Sequence, residues 1–140
     1  MRKKGSLVRE IMESRIPFNR FLGMRVQAIS RGRAVMVLPY RDEFLGDTQR
    51  PALHGGVIST LIDTAGGAAA FTETEEGDRL ATVDLLVDYL APAQKGTLEA
   101  DARVKRIGNR MAVVHISVRQ EGREEIVAMG RAVYNIVRRK

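Results

Sequence analysis

The sequence contains no cysteine and no tryptophan, and it has only two histidines and four prolines among 140 residues. Without cysteine there is no disulfide, no thiolate metal site and no cysteine nucleophile. Two histidines alone disfavour a zinc site, so we expect no metal. Aromatic residues make up only 5% of the chain, which offers few stacking platforms for single strands, and no DNA-reading helix is visible. We therefore expect no nucleic-acid partner.

Long hydrophobic runs are also missing. No segment is both long and apolar enough for a membrane span, so we expect no membrane partner. The stretch MRKKGSLVRE lacks the apolar segment of a signal peptide, which predicts a cytoplasmic protein. A chain of 140 residues that is 44% hydrophobic suits one domain with a real core. Its net charge is +6. The positive charge fits either an anionic ligand or a solvated basic surface.

The stretch LHGGVISTLIDTAGGAAAF, residues 53–71, has the fewest charges for its length. Its apolar residues recur at close to a helical period, which predicts a central helix over residues 53–71. Four glycines within it lower its intrinsic helix propensity, so packing against a sheet has to stabilise it. Asp63 is its only charged residue.

The rest of the chain predicts one α+β domain over residues 1–140. A short N-terminal helix lies within residues 1–16, with Ser6 as its N-cap and Pro17 after its end; Phe18, Phe21 and Leu22 form an apolar plug. A polar connection of about a dozen residues, 40–52, leads to His54. The alternating patterns predict strands at Met24–Ile29, Ala34–Leu38, Leu80–Leu90, Gly96–Ile107, Met111–Gln120 and Glu125–Val137. A curved antiparallel sheet would wrap the central helix, whose remaining apolar surface favours a homo-oligomer.

The His54-Gly55-Gly56 turn opens the predicted helix. Amide groups at a helix start lack intrahelical partners, and glycine lets a ligand approach the backbone closely. The turn could therefore form an oxyanion hole or an anion site, or the glycines could serve only tight packing. His54 alone is more typical of an orienting residue than of a catalytic one.

Asp63 is the sharper signal, because a carboxylate inside an apolar helix is costly to bury without a partner. It could be a general base or a nucleophile, or it could lie on an exposed face or bond to the sheet. Thr82, on the next strand, could hydrogen-bond a water or Asp63. His54 and Asp63 lie nine residues apart and face opposite sides of one helix, so a second subunit would have to bring them together.

Three segments, LHGGVISTLIDTAGGAAA, ATVDLLVDYLAPAQKGTLEADARVKRIGNR and VAMGRAVYNI, together resemble the PaaI-like branch of the hotdog-fold acyl-CoA thioesterases. The resemblance covers roughly residues 17–137. It implies a hotdog fold, dimers that pair edge to edge, with two dimers often forming a tetramer, and active sites at the dimer interface. It also implies that the substrate is an acyl-CoA, with no cofactor other than the coenzyme A of the substrate.

The resemblance further implies roles for individual residues. Asp63 matches the catalytic carboxylate, and the Gly55 amide matches the donor that polarises the thioester carbonyl, with His54 and Gly56 beside it. Thr82 matches a hydroxyl that helps to hold the water. The turn with Lys105, Arg106, Asn109 and Arg110 matches the region that often meets the CoA phosphates, although a solvated basic hairpin explains those residues equally well.

The sequence departs from the family pattern in one loop. Several relatives carry an asparagine that contacts substrate or water six residues before the histidine, where this chain has Thr48; the neighbouring Gln49 could substitute. Two other functions stay open from sequence: a hotdog hydratase or dehydratase that acts on acyl thioesters, and a non-catalytic acyl-CoA-binding protein.

Overall fold

The computed structural model describes residues 4–140, which form three α-helices and eight β-strands. The helices are α1 (Lys4–Glu10), α2 (Pro17–Leu22) and α3 (Gly55–Phe71), and one π-helical turn, Ile11–Arg15, joins the first two. The strands are β1 (Arg25–Ser30), β2 (Arg33–Leu38), β3 (Leu45–Asp47), β4 (Ala52–Leu53), β5 (Arg79–Tyr89), β6 (Leu98–Ile107), β7 (Met111–Gln120) and β8 (Ile126–Val137).

Six strands form one antiparallel sheet in the order β1-β2-β6-β7-β8-β5, and α3 packs across it. The buried face of α3 is made mostly of small residues, which bring the helix close to the strands. At Gly130 of β8 an added Cβ would collide with the side chain of Ile62, so the glycine makes room for the helix. The predicted α+β architecture, a sheet around one long helix, is confirmed.

The N-terminal segment differs from its prediction. Residues 1–3 of the N-terminal segment 1–16 lie outside the described residues, and Ser6 lies inside α1 rather than at its cap. Residues 17–22 form a second helix instead of an irregular plug. Pro17 occupies the first turn of α2, where its fixed φ and missing amide suit a helix start. Gly23, with φ 80°, closes α2 in the left-handed conformation.

The start of the central helix is also shifted from the predicted residue 53. The Leu53 amide donates to Ala93 O (2.8 Å) and the His54 amide donates to Phe44 O (2.8 Å), which keeps both residues extended. His54 is the N-cap, and the helix begins at Gly55. The connection before it, predicted to be without strands, contains the short β3–β4 hairpin.

Strand β5 lies at one edge of the sheet and pairs on one side only, with β8, within the described part of the chain. Large apolar side chains are exposed on β5 and just after it: Val83, Leu86, Tyr89 and Leu90, each more than half exposed. An unpaired edge strand with apolar side chains is a surface that proteins usually cover. None of the helices formed by residues 4–140 is long and apolar enough to cross a membrane.

Candidate active site

Asp63 lies in the middle of α3, on the face of the helix that the sheet leaves partly open. The Thr82 hydroxyl on β5 donates to Asp63 Oδ1 over 2.9 Å, which is the contact that the sequence suggested. No ion pair from residues 4–140 reaches this carboxylate, and the Tyr134 hydroxyl on β8 is a second hydrogen-bonding group beside it. Thr82 therefore orients Asp63 Oδ1, and the carboxylate stays open to a ligand or a water on the cavity side.

Tyr134 on β8 fixes the backbone of the helix at this point. Its hydroxyl donates to the Asp63 carbonyl oxygen over 2.6 Å, and its side chain is buried. Burial, and after it the negative charge of Asp63, raises the pKa of Tyr134, so the hydroxyl stays protonated and acts as a donor. Gly66 makes room for this hydroxyl, because a Cβ there would collide with it. Sequence reasoning missed Tyr134, and the pattern of alternating residues in β8 carried no sign of its role.

Asp63 opens onto a cavity of about 450 Å³ between α3, β5 and the N-terminal helices. Its polar lining comes mainly from α3 and Thr82. Its apolar lining comes from the N-terminal segment, the end of α3 and strand β5: Met12, Ile16, Phe18, Phe71, Leu80 and Leu85. A largely apolar cavity with a few polar groups is typical of a small-molecule site. Sequence reasoning placed Phe18 in a plug but did not bring Met12 or Ile16 to the site.

The His54 side chain caps α3 instead of pointing at Asp63. Its Nδ1 accepts a hydrogen bond from the Gly56 amide over 2.8 Å, so the neutral ring carries its proton on Nε2. The amides of Val57 and Ile58 both donate to the His54 carbonyl. Of the amides in the first turn of α3, the Gly55 amide alone has no acceptor among residues 4–140. The Gly56 amide, predicted to contact substrate, is occupied.

Tyr89, at the end of β5, meets the same turn from the other side. Its hydroxyl donates to the Gly55 carbonyl over 3.0 Å and is hydrogen-bonded to the Ser59 hydroxyl. Its ring lies against Gly55, where an added Cβ would be 3.2 Å from Cε1. Neither Tyr89 nor Ser59 was predicted from the sequence, because nothing in their spacing links them to the glycines.

The free Gly55 amide and Asp63 do not converge within one chain. Eight residues of helix separate them, which at a rise of 1.5 Å per residue is about 12 Å. A group that attacks a carbonyl carbon and a group that donates to its oxygen must each lie within about 3 Å of the reacting atoms. One chain therefore holds two half-sites, one at each place on α3.

Thr48 and Gln49 lie in the exposed turn between β3 and β4, on the segment that leads to His54. Asp47 Oδ1 accepts the amides of Gln49 (2.9 Å) and Arg50 (3.1 Å), which fixes the turn. Neither side chain lines the cavity beside Asp63, and their contact with substrate stays a prediction.

The basic residues Lys105, Arg106 and Arg110, together with Asn109, are exposed around the β6–β7 turn. Arg138 anchors the turn by donating to the Asn109 carbonyl (2.8 Å), while its guanidinium also pairs with Asp78 (2.9 Å). The three basic side chains have no ion-pair partner in residues 4–140. Met111, at the start of β7, pairs with Asn135 on β8, and Asn135 pairs with Ala81 on β5, next to Thr82. Two strand spacings, about 10 Å, therefore separate the β6–β7 turn from the end of β5 that carries Thr82.

Comparison with known proteins decides the family. The family model of the thioesterase superfamily matches residues 51–127, which include α3, β5, β6 and β7. The chain belongs to the thioesterase superfamily. The fold of this thioesterase-superfamily chain is the predicted hotdog fold: a thioesterase family protein from Silicibacter pomeroyi superposes with a TM-score of 0.86 and 27% identity, covering 95% of this chain and 98% of that one.

Two sequence relatives give the range of similarity within the superfamily. A predicted esterase of Saccharolobus solfataricus, SSO2140, is 36% identical over 110 residues that cover 78% of this chain and 76% of that protein. The medium/long-chain acyl-CoA thioesterase YigI of Escherichia coli is 29% identical over 143 residues that cover 93% of this chain and 92% of that protein. The predicted activity class, a thioester hydrolase, agrees with these matches, whereas the assignment to the PaaI-like branch stays a prediction.

Proposed function

We propose that this protein hydrolyses acyl-CoA thioesters to the free acid and CoA, and that Asp63 acts directly on the thioester or on the attacking water. The observation that carries the proposal is the Asp63 carboxylate, oriented by Thr82 and without an ion-pair partner among residues 4–140, at the wall of an apolar cavity. In a member of the thioesterase superfamily this cavity suits the acyl group, and the carboxylate suits the reacting carbonyl.

Each complete site requires two copies of the chain. The Gly55 amide and Asp63 lie too far apart to serve one carbonyl within a subunit, and the exposed apolar edge of β5 offers a surface for a second copy. A two-fold dimer that covers this edge creates two equivalent sites, each with Asp63 from one subunit and Gly55 from the other. Pairing of two such dimers into a tetramer stays a prediction of the sequence resemblance.

The chemistry then follows from the two half-sites. The Gly55 amide donates to the thioester oxygen and stabilises the charge that develops there. Asp63 either takes a proton from water as the water attacks the carbonyl carbon, or attacks that carbon itself to give an anhydride that water hydrolyses. In either case a C–O bond forms, the C–S bond breaks, and the CoA thiolate takes up a proton.

Charge and lining favour a substrate that has an anionic end and an apolar end. Lys105, Arg106 and Arg110 have no ion-pair partners among residues 4–140 and could meet the CoA phosphates, with Asn109 beside them. The Asp63 cavity would take the apolar acyl chain, and a medium or long chain is the first choice, by similarity to YigI.

The test is release of CoA thiol from a panel of short, medium, long and aromatic acyl-CoAs. Asp63→Asn should lose turnover by a factor of 10³ or more, on the order of the loss when a catalytic group is removed, with the oligomer and the melting temperature retained. Asp42→Asn, an exposed aspartate outside the cavity, is the matched control and should behave like wild type.

Three outcomes would contradict the proposal. Full turnover by Asp63→Asn would show that the Asp63 carboxylate has no part in catalysis. Consumption of an enoyl-CoA or a hydroxyacyl-CoA without thiol release would indicate a hydratase or dehydratase. Binding of an acyl-CoA that is never hydrolysed would indicate a non-catalytic binder.

A further inference from the structure

One peptide unit at the start of α3, between Gly55 and Gly56, is held at both of its polar ends. Its carbonyl oxygen, on Gly55, accepts from the Tyr89 hydroxyl over 3.0 Å, and its N–H, on Gly56, donates to His54 Nδ1 over 2.8 Å. Two consecutive glycines form a conformationally permissive backbone. The two side chains therefore fix a peptide plane that its own residues would leave loose.

The neighbouring peptide unit carries the Gly55 amide. Its carbonyl, on His54, accepts from the amides of Val57 and Ile58. Of the four polar groups in these two peptide units, three are engaged and the Gly55 N–H alone is free in the described structure. The direction of that N–H depends on how well both planes are held, because they share the Cα of Gly55.

Tyr89 is itself held in place from two sides. The Ser59 hydroxyl, one turn further along α3, is hydrogen-bonded to the Tyr89 hydroxyl, and the backbone of Tyr89 is paired with Ala128 on β8. The same strand carries Thr82, which orients Asp63. Strand β5 thus orients both half-sites of α3, one through each end.

We infer that Tyr89 is a positioning residue for the Gly55 amide, acting through the Gly55–Gly56 peptide with support from Ser59. The inference rests on the proposed thioester hydrolysis, in which that amide polarises the carbonyl. Tyr89 touches no reacting atom: it holds the donor in the direction that the developing oxyanion requires, and such preorganisation lowers the barrier rather than improving ground-state binding.

The test compares Tyr89→Phe with Tyr40→Phe, which removes a tyrosine hydroxyl that donates to Asp42, outside the site. Tyr89→Phe keeps the ring against Gly55 and removes both hydrogen bonds of the hydroxyl, to the Gly55 carbonyl and to Ser59. The first of these holds the peptide, so kcat should fall about three- to tenfold with KM within about twofold. Ser59→Ala should lower kcat in the same direction by less. A readout independent of activity is hydrogen exchange of the Gly56 amide, which should quicken in Tyr89→Phe and stay unchanged in Tyr40→Phe.

Each result decides the matter. An unchanged kcat in Tyr89→Phe, or a raised KM at unchanged kcat, refutes positioning, and the second result would indicate a substrate contact instead. Loss of the oligomer in Tyr89→Phe would refute it as well, by assigning the hydroxyl to assembly. Absence of thiol release by the wild-type protein would refute the proposed function, whereas active wild type with an undisturbed Tyr89→Phe would refute the Tyr89 role alone.

Discussion

The replacement of Gly55 by proline separates the amide from every other feature of the helix start. Gly55 is the first residue of α3, a position at which proline is well tolerated, and His54 before it is extended (φ −63°, ψ 133°), as the residue before a proline prefers to be. The amide that proline removes makes no hydrogen bond within the described structure. Gly55→Pro should therefore leave the fold and stability close to those of the wild type.

The loss of activity should be large, because the first turn has no spare donor. The Gly56 amide is bound to His54 Nδ1, and the next two amides are bound to the His54 carbonyl. Removal of one oxyanion donor costs about 10²–10³ in kcat, or about 2.7–4 kcal/mol. The proline ring also occupies space beside the former N–H, so a loss of about 10³ is the expected value.

Gly55→Ala is the matched control, because it adds a Cβ but keeps the amide. That Cβ would lie 3.2 Å from the Tyr89 ring, so a small shift of the ring and a loss within about tenfold are expected. Turnover is measured as thiol release, and folding by circular dichroism and melting temperature. If Gly55→Pro turned over as fast as Gly55→Ala, the amide would have no part in catalysis and the assignment of the oxyanion donor would be wrong.

Two further predictions concern Thr82 and Asp101. Thr82→Val keeps the side-chain shape but removes the hydrogen bond to Asp63, so kcat should fall about tenfold or more, the size expected for a hydrogen bond to a charged group. Thr82→Ser keeps the hydroxyl and should stay near wild type. Equal activity of the two variants would contradict the role of the hydroxyl. Hydrogen bonds from Arg33 and Arg103 lower the pKa of Asp101 in the folded protein. The ionised carboxylate therefore stabilises the fold above about pH 4, and this stabilisation is lost as the pH falls through the folded-state pKa. Asp101→Asn should lower the free energy of unfolding by roughly 1 kcal/mol at pH 7, allowing for solvent screening. In urea unfolding experiments this difference from wild type should shrink toward pH 3. The same difference in unfolding free energy at both pH values would contradict the prediction.

The elements that the sequence predicted well are those with a strong local period. Residues 111–120 alternate cleanly and form β7 with the predicted bounds. The central helix carries its apolar residues on the face that packs against the sheet, so its existence followed from period alone. Asp63 stood out because it is the one charge in that helix, and the structure gives it a partner in Thr82.

The contacts that Tyr134 and Tyr89 make with the central helix were not predictable. Tyr134 reaches the Asp63 carbonyl from 71 residues away, and Tyr89 reaches Gly55 from 34 residues away. These contacts depend on strand register and on the room left by a glycine, neither of which leaves a periodic signal in the chain. The helix at residues 17–22 was not predicted for a local reason: a proline that follows one helix also suits the start of the next, as Pro17 does here.

The central claim is that Asp63 of one subunit works with the Gly55 amide of the other, and a mixed dimer tests it most directly. Asp63→Asn and Gly55→Pro, carried on differently tagged chains, are co-expressed, and the heterodimer that carries both tags is purified. If each site is shared, one site of the heterodimer has both lesions and the other has none, so the heterodimer should hydrolyse acyl-CoA at about half the wild-type rate. If each site lies within one chain, both sites are damaged, and a heterodimer as inactive as its two parents would contradict the account.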